Sequence, residues 1–190
     1  MTAIDLSSYA GLLAMTMLTV NILLGLLLST RYNPVKQWPH RKIPIFAIHN
    51  WNGYLALAVA LVHPLILMFA DEKVRFRFID IVYPVNSPVQ PNYNVLGAIA
   101  LYLLIFVTVT TYFRPQLGNR RWKKLHFVTY ALAFVFYAHS IVTNPDLKNV
   151  PLDPFDGEKV YIEGCALLVV AGIVWRIRTG SGVPVRSKAR

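Results

Sequence analysis

Apolar segments long enough to cross a membrane dominate this chain. Of its 190 residues, 55% are hydrophobic, and its mean hydropathy of +0.46 is higher than that of ordinary soluble domains. A helix needs about 20 apolar residues to cross the hydrocarbon core of a bilayer, where every backbone polar group must be satisfied internally. The sequence therefore predicts an all-α integral membrane protein, a bundle of five transmembrane helices that span residues 9–29, 45–69, 95–112, 125–142 and 160–175.

The basic residues are concentrated in segments that follow alternate predicted spans. Fourteen of the nineteen Lys and Arg residues, and no Asp or Glu, lie in residues 30–44, 113–124 and 176–190. Because cytoplasmic loops carry an excess of Lys and Arg, this pattern predicts an N-terminus outside the membrane and a cytoplasmic C-terminus. The net charge of +10 then reflects topology and contact with membrane lipid, and no nucleic-acid partner is expected. We expect a multi-pass protein of the bacterial inner membrane.

Four of the five histidines lie within two of the predicted spans. His49 and His63 are fourteen residues apart in the second span, and His126 and His139 are thirteen residues apart in the fourth. Ionisable side chains inside a membrane are costly and usually functional. Intervals of this size advance a helix by about 20 Å, so the pairs lie at matched depths if the two helices run in the same direction. We therefore predict that His49 faces His126 on the cytoplasmic side and that His63 faces His139 on the outer side.

Facing imidazoles on neighbouring helices are typical of the axial ligands of a haem b, which has no covalent attachment to the protein. We interpret the four histidines as the iron ligands of two haem b groups, one inner and one outer. A zinc or copper site is less favourable, because histidines about 20 Å apart on one helix cannot share an ion. The single cysteine, Cys165, excludes a thiolate cluster. His40 lies in a basic loop and is expected in the headgroup region, so it is not counted as a ligand.

The thirteen-residue interval presents a geometric difficulty. On an ideal helix it turns His139 about 140° away from His126. Both can then face the second span only if the fourth helix is overwound, bulged or tilted. Each histidine taken singly could also be a core residue that is hydrogen-bonded to Ser, Thr or a backbone carbonyl, and that interpretation stays open.

Two segments of the chain resemble a known family. HRKIPIFAIHNWNGYLALAVALVHP (40–64) and RRWKKLHFVTYALAFVFYAH (120–139) are similar to the ferric-reductase-like transmembrane domain. That domain is shared by NADPH oxidases, ferric reductases and the haem-binding membrane subunit of the periplasmic methionine sulfoxide reductase system. The likeness covers residues 40–142 and includes Trp122, four residues before His126. In the family two helices each carry paired histidines, with the shorter interval in the second helix. The resemblance implies that His49 and His126 bind the inner haem and that His63 and His139 bind the outer one.

The function implied by the resemblance is that of a di-haem b-type cytochrome, an oxidoreductase component that carries electrons across the membrane. Fifteen residues follow Trp175, so we expect no flavin or nicotinamide domain and treat residues 1–190 as a single transmembrane haem-binding domain. Electrons would come from a separate flavoprotein, a ferredoxin-like protein or a quinol, and would pass to an extracytoplasmic acceptor such as ferric iron, oxygen or a partner reductase. Three basic residues near the inner site could bind haem propionates or, equally, lipid phosphate: Arg41, Arg121 and Lys124.

Two other functions remain open from the sequence. The protein could be a non-catalytic haem-binding or assembly subunit of a membrane complex, which stabilises a partner and passes no electrons. It could also be a proton-coupled transporter, because imidazoles titrate between about pH 5 and 8 and can relay protons inside a membrane.

Overall fold

The protein is helical throughout the part of the chain that the structure describes. The computed structural model describes residues 1–30, 44–144, 153 and 155–180, and these residues contain no β-strand. They form seven α-helices: α1 (Ala3–Thr30), α2 (Ile45–Ile66), α3 (Phe78–Val82), α4 (Pro91–Tyr112), α5 (Arg114–His126), α6 (Val128–Val142) and α7 (Gly157–Gly180). A 3-10 turn, Leu67–Phe69, extends α2, and a second, Pro84–Asn86, precedes α4. The predicted all-α class is confirmed.

Four of the helices are long and apolar enough to cross a membrane, namely α1, α2 with its 3-10 extension, α4 and α7. The pair α5 and α6 is a fifth candidate span, because the two helices are long and apolar enough only when taken together, and they are bent by 44° at their junction. The 15 residues of α6 alone would rise only about 22 Å, less than the hydrocarbon thickness of about 30 Å. The protein is therefore an integral multi-pass membrane protein with four or five spans. The sequence predicted one continuous span over residues 125–142, whereas in the structure one helix ends at His126 and the next begins at Val128.

The helices pack around a small apolar core. Contacts are most extensive between α1 and α2 and between α4 and α6, and α7 packs against α1 and α6. The core includes Met15, Leu104 and Phe136. Large apolar side chains such as Phe134 (77% exposed) and Leu167 (69% exposed) point away from it. Such faces are expected where lipid tails rather than water surround the protein.

Polar side chains hold α1 against α2 within the bundle. The Asn52 amide donates to the carbonyl oxygen of Met17 at 2.8 Å and to Asn21 Oδ1 at 3.3 Å. Gly53 allows this close approach, because a Cβ atom there would lie 3.2 Å from Asn21 Nδ2. Interhelical hydrogen bonds of this kind help to fix the register of membrane helices, and the register of α1 on α2 places two of the histidines described below.

A compact segment that contains α3 closes one end of the bundle. Asp80 is 1% exposed and accepts hydrogen bonds from the Arg77 backbone N–H, Nε and Nη2 at 2.9–3.0 Å. The Arg77 side chain holds the pKa of Asp80 below its ordinary value by hydrogen bonding to the charged form. The stabilisation of the folded state by the Arg77–Asp80 pair is therefore complete above the ordinary Asp pKa of about 4. It is lost as the pH falls through the lower pKa that Asp80 has in the folded protein.

Candidate functional site

His49 and His126, called the inner pair after their predicted position, meet where the start of α2 faces the end of α5. The ring centres of His49 and His126 are 6.2 Å apart, with an angle of 71° between the ring planes. Both rings line a cavity of about 630 Å³. The predicted facing of these two residues is thus present in the fold.

The His49 imidazole is anchored from the opposite side by α1. Its Nδ1 lies 3.0 Å from the carbonyl oxygen of Asn21. A carbonyl only accepts hydrogen bonds, so Nδ1 carries the proton, and Nε2 of the neutral ring keeps its lone pair.

His126 is held by stacking rather than by a hydrogen bond. Its ring lies 4.9 Å from the Trp122 ring at an interplanar angle of 29°, and the Arg114 guanidinium lies 4.2 Å from the centre of the Trp122 ring. The buried Nδ1 of His126 has no hydrogen-bond partner among the described residues. Trp122 precedes His126 by one helical turn, and the two side chains therefore share a face of α5.

The outer pair, His63 of α2 and His139 of α6, lines a second cavity of about 180 Å³. His63 Nδ1 donates to the carbonyl oxygen of Ser7 at 2.7 Å. His139 Nδ1 donates to the carbonyl oxygen of Tyr93 at 2.9 Å. The Thr143 hydroxyl lies 3.2 Å from the same nitrogen. Two helices, α1 and α4, thus orient the outer imidazoles.

Three of the four imidazoles share one hydrogen-bonding pattern. In His49, His63 and His139 the Nδ1–H group donates to a backbone carbonyl of a neighbouring helix. Their Nε2 atoms form no hydrogen bond with any residue that the structure describes. Histidines that bind metals almost always donate the other ring N–H to a carboxylate, a carbonyl or water, which fixes the tautomer and the ring orientation. The pattern leaves Nε2 available as a metal ligand.

A glycine lies against each of these three rings. The pairs are Gly11 with His63, Gly25 with His49, and Gly97 with His139. A Cβ atom would lie 2.9 Å from the ring at Gly11, 3.3 Å at Gly25 and 2.8 Å at Gly97. Sequence reasoning did not select these glycines. The sequence did carry one signal for the contacts of Gly11 and Gly25. These glycines are fourteen residues apart, as are His49 and His63 on the antiparallel helix α2.

The break between α5 and α6 falls within the thirteen-residue interval from His126 to His139 and changes the relative direction of these two side chains. His126 is the last residue of α5, Phe127 forms the junction, and α6 begins at Val128 with a bend of 44°. The 140° rotation expected for an ideal helix therefore does not apply between His126 and His139. The prediction named overwinding, a bulge or a tilt of the helix, whereas the departure that the structure has is a bend directly after His126.

The two cavities lie one above the other along the bundle. Leu18, Leu104 and Leu132 line both of them and form the layer between them. Fourteen residues of α2 separate His49 from His63, a rise of about 21 Å. The arrangement is thus two paired-imidazole sites at different depths, separated by an aliphatic layer.

The basic side chains of the inner cavity are not those selected from the sequence. Arg121 and Lys124 are exposed on α5 and are absent from the residues that line the cavity. Arg41 lies outside the described residues. The cations that line the cavity are Arg114, Lys123 and Arg176. Arg176 Nη1 also donates to the Tyr130 hydroxyl.

The histidine pairs do not form a site for a bare metal ion. Among the described residues, no group of three or more His, Cys, Asp or Glu side chains could hold a metal. Each pair supplies two nitrogen ligands, so it suits a metal whose remaining ligands come from a cofactor.

Comparison with protein families gives one match. The model described as "Ferric reductase like transmembrane component" matches residues 10–137 of the 190-residue chain. The matched range contains His49, His63 and His126 and ends two residues before His139. No curated protein and no solved structure matches the chain.

Proposed function

Because the chain belongs to the family of ferric reductase-like transmembrane components, we propose that it is a di-haem b-type cytochrome that carries electrons across the membrane. Membership supports a transmembrane electron-transfer function of the ferric-reductase-like type, in a family that typically binds haem. The number of haems, their ligands and the redox partners belong to the proposal. The inner haem would be held by His49 and His126, and the outer haem by His63 and His139.

The observation that carries the proposal is the spacing of the inner imidazoles. Two rings bound on opposite sides of one metal, at about 2 Å for each metal–nitrogen bond, have ring centres about 6 Å apart. The ring centres of His49 and His126 are 6.2 Å apart. Their cavity of about 630 Å³ also lies in the range of about 300–1,000 Å³ that is usual for cofactor sites. The inner residues therefore fit a haem.

The outer residues fit a haem by the ligands that they offer to its iron. The outer cavity of about 180 Å³ is smaller than usual for a cofactor site, so its volume does not support the assignment. Its support comes from His63 and His139, which have carbonyl-anchored Nδ1 atoms at 2.7 and 2.9 Å and Nε2 atoms available for iron.

The haem groups would supply the one-electron redox chemistry. The chain would orient the ligands through the carbonyls of Ser7, Asn21 and Tyr93 and exclude water through the aliphatic layer between the sites. At the inner site, cationic side chains could bind the propionates by charge-assisted hydrogen bonds, and those that line the cavity are Arg114, Lys123 and Arg176.

The basic side of the bundle is proposed to be cytoplasmic and to receive the electrons. The exposed face of α5 carries Arg120, Arg121, Lys123 and Lys124, and a surface of one sign of charge steers an oppositely charged donor toward it. The donor would be a separate flavoprotein, a ferredoxin-like protein or a quinol, and the acceptor would be ferric iron, oxygen or a partner reductase outside. The proposal also places the protein in the bacterial inner membrane, with its N-terminus outside and residues 1–190 forming a single transmembrane domain.

Electron transfer across sealed vesicles tests this function. The haem-loaded protein is reconstituted in vesicles that contain trapped ferricyanide, and a membrane-impermeant reductant is added outside. We expect the protein to increase the rate of ferricyanide reduction at least tenfold over protein-free vesicles. Vesicles that contain the protein without haem are the matched control. Haem that becomes reduced while the trapped ferricyanide stays oxidised would contradict the conduit and indicate a haem-binding assembly subunit.

A further inference from the structure

Lys159 is a buried cation at the outer end of the bundle. It lies in the first turn of α7, and the residue is only 4% exposed. Its Nζ donates to the carbonyl oxygens of Ser140 at 2.8 Å and Thr143 at 2.5 Å. Its side chain also lines the outer cavity, together with His63 and His139. Lysine is almost never fully buried unless its charge is compensated, so this position calls for a physical explanation.

The C-terminus of α6 supplies that compensation. The last carbonyls of a helix have no partners within the helix and carry partial negative charge. The ammonium group of Lys159 binds the carbonyl of Ser140, in the final turn of α6, and that of Thr143, the residue that caps the helix. The same contacts therefore fix the charge beside the outer site and hold the helix end that carries one of its imidazoles.

The other charged groups at this cavity are screened or paired. Asp80 lines the cavity, but its carboxylate is bound by Arg77 at 2.9 and 3.0 Å. Glu158 is partly exposed and accepts a hydrogen bond from the Ser8 hydroxyl at 3.4 Å. Charges near water interact more weakly than buried ones, because the surrounding dielectric constant is higher. Among the described residues that line the cavity, Lys159 is the cation.

We propose that Lys159 is a positioning residue that raises the reduction potential of the outer haem. This inference rests on the proposed function. Reduction adds one electron to the haem, and a nearby buried positive charge stabilises the electron-rich form more than the oxidised form. The net charge around a redox centre is one of the means by which a protein sets its potential. The partly exposed Glu158 acts on the same centre with the opposite sign and a smaller effect.

Potentiometric titration of the haem-loaded protein, followed by its optical spectrum, tests the inference. The outer component is identified as the one that is missing from His63→Ala. In Lys159→Gln, which keeps a hydrogen-bond donor but removes the charge, we expect the reduction equilibrium of this component to shift at least tenfold toward the oxidised form, about 59 mV for one electron. The inner component should keep its wild-type potential.

Three other variants separate charge from structure. Lys159→Arg keeps the charge and should retain a potential close to wild type. Lys73→Gln removes an exposed charge from the outer segment, away from the residues that line the cavity, and should have no effect. Glu158→Gln should shift the outer component in the opposite direction. If Lys159→Gln loses the outer haem, its potential cannot be measured and Glu158→Gln decides. An upward shift in the reduction potential of the outer component supports control by charge, and an unchanged potential overturns the inference.

Two further results would overturn the inference. The first is a Lys159→Gln protein that retains both haems at their wild-type potentials. The second is an equal downward shift in Lys159→Arg and Lys159→Gln, which would show that hydrogen-bond geometry rather than charge is responsible. A wild-type protein without two haem components would instead overturn the proposed function, and this inference with it.

Discussion

Alanine at His63 or His139 is expected to remove the outer haem and to leave the inner one in place. Alanine at His49 or His126 should remove the inner haem and leave the outer one. The two sites are independent because about 21 Å of helix and a leucine layer separate them. Each single change should halve the haem content and lower electron transfer across vesicles at least 100-fold, since removal of an iron ligand exceeds the 10- to 100-fold cost of altering the groups that orient it. Haem content by pyridine haemochrome and reduced-minus-oxidised spectra measure the loss.

His40 provides the matched control for this series. It is the histidine outside the two pairs, so His40→Ala should keep both haems and the wild-type rate. Loss of both haems from each single variant of the four paired histidines would contradict two independent sites.

Alanine at Gly97 or Gly11 is expected to weaken binding of the outer haem without removing any ligand. The added Cβ atom would lie 2.8 Å from the His139 ring at Gly97 and 2.9 Å from the His63 ring at Gly11. These distances are shorter than van der Waals contact, so the imidazole must move out of its carbonyl-anchored position. We expect a 10- to 100-fold loss of outer-haem affinity, similar to that for other changes that disturb ligand orientation. Haem titration of the apoprotein measures the change.

Two glycines calibrate this effect. Gly25→Ala brings Cβ only to 3.3 Å from the His49 ring and should weaken the inner haem less. At Gly164 nothing lies within 4 Å of the added atom, so Gly164→Ala should bind both haems normally, with helix stability increased by up to about 1 kcal/mol. Normal outer-haem affinity in Gly97→Ala and Gly11→Ala would contradict the assigned packing of the outer imidazoles.

The helical spans and the facing of the inner histidines follow from local properties of the sequence. Apolar runs of bilayer length must be helical, and the intervals within the two histidine pairs set their depths. The break at Phe127 could not be predicted in this way, because no proline or glycine marks it. The fourteen-residue interval between Gly11 and Gly25 was visible in the sequence, but the contacts of these glycines and of Gly97 with the imidazoles depend on the register between helices, which no one segment determines.

The cations of the inner cavity show how nearness in sequence differs from nearness in space. Arg121 and Lys124 were selected because they lie close to His126 in the chain. On a helix, however, side chains two or five positions away point elsewhere, whereas Trp122, four positions away, shares the His126 face. Arg114 reaches the Trp122 ring because the chain turns between them at Gly118, whose φ of 74° is readily accessible only to glycine.

The haem content of the purified wild-type protein tests the assignment of the four histidines most directly. Two haem b groups per chain, with the low-spin spectrum of bis-histidine ligation in both, are the expected result. A colourless protein with all four histidines intact after haem supplementation, or a saturating content of one haem per chain, would contradict it.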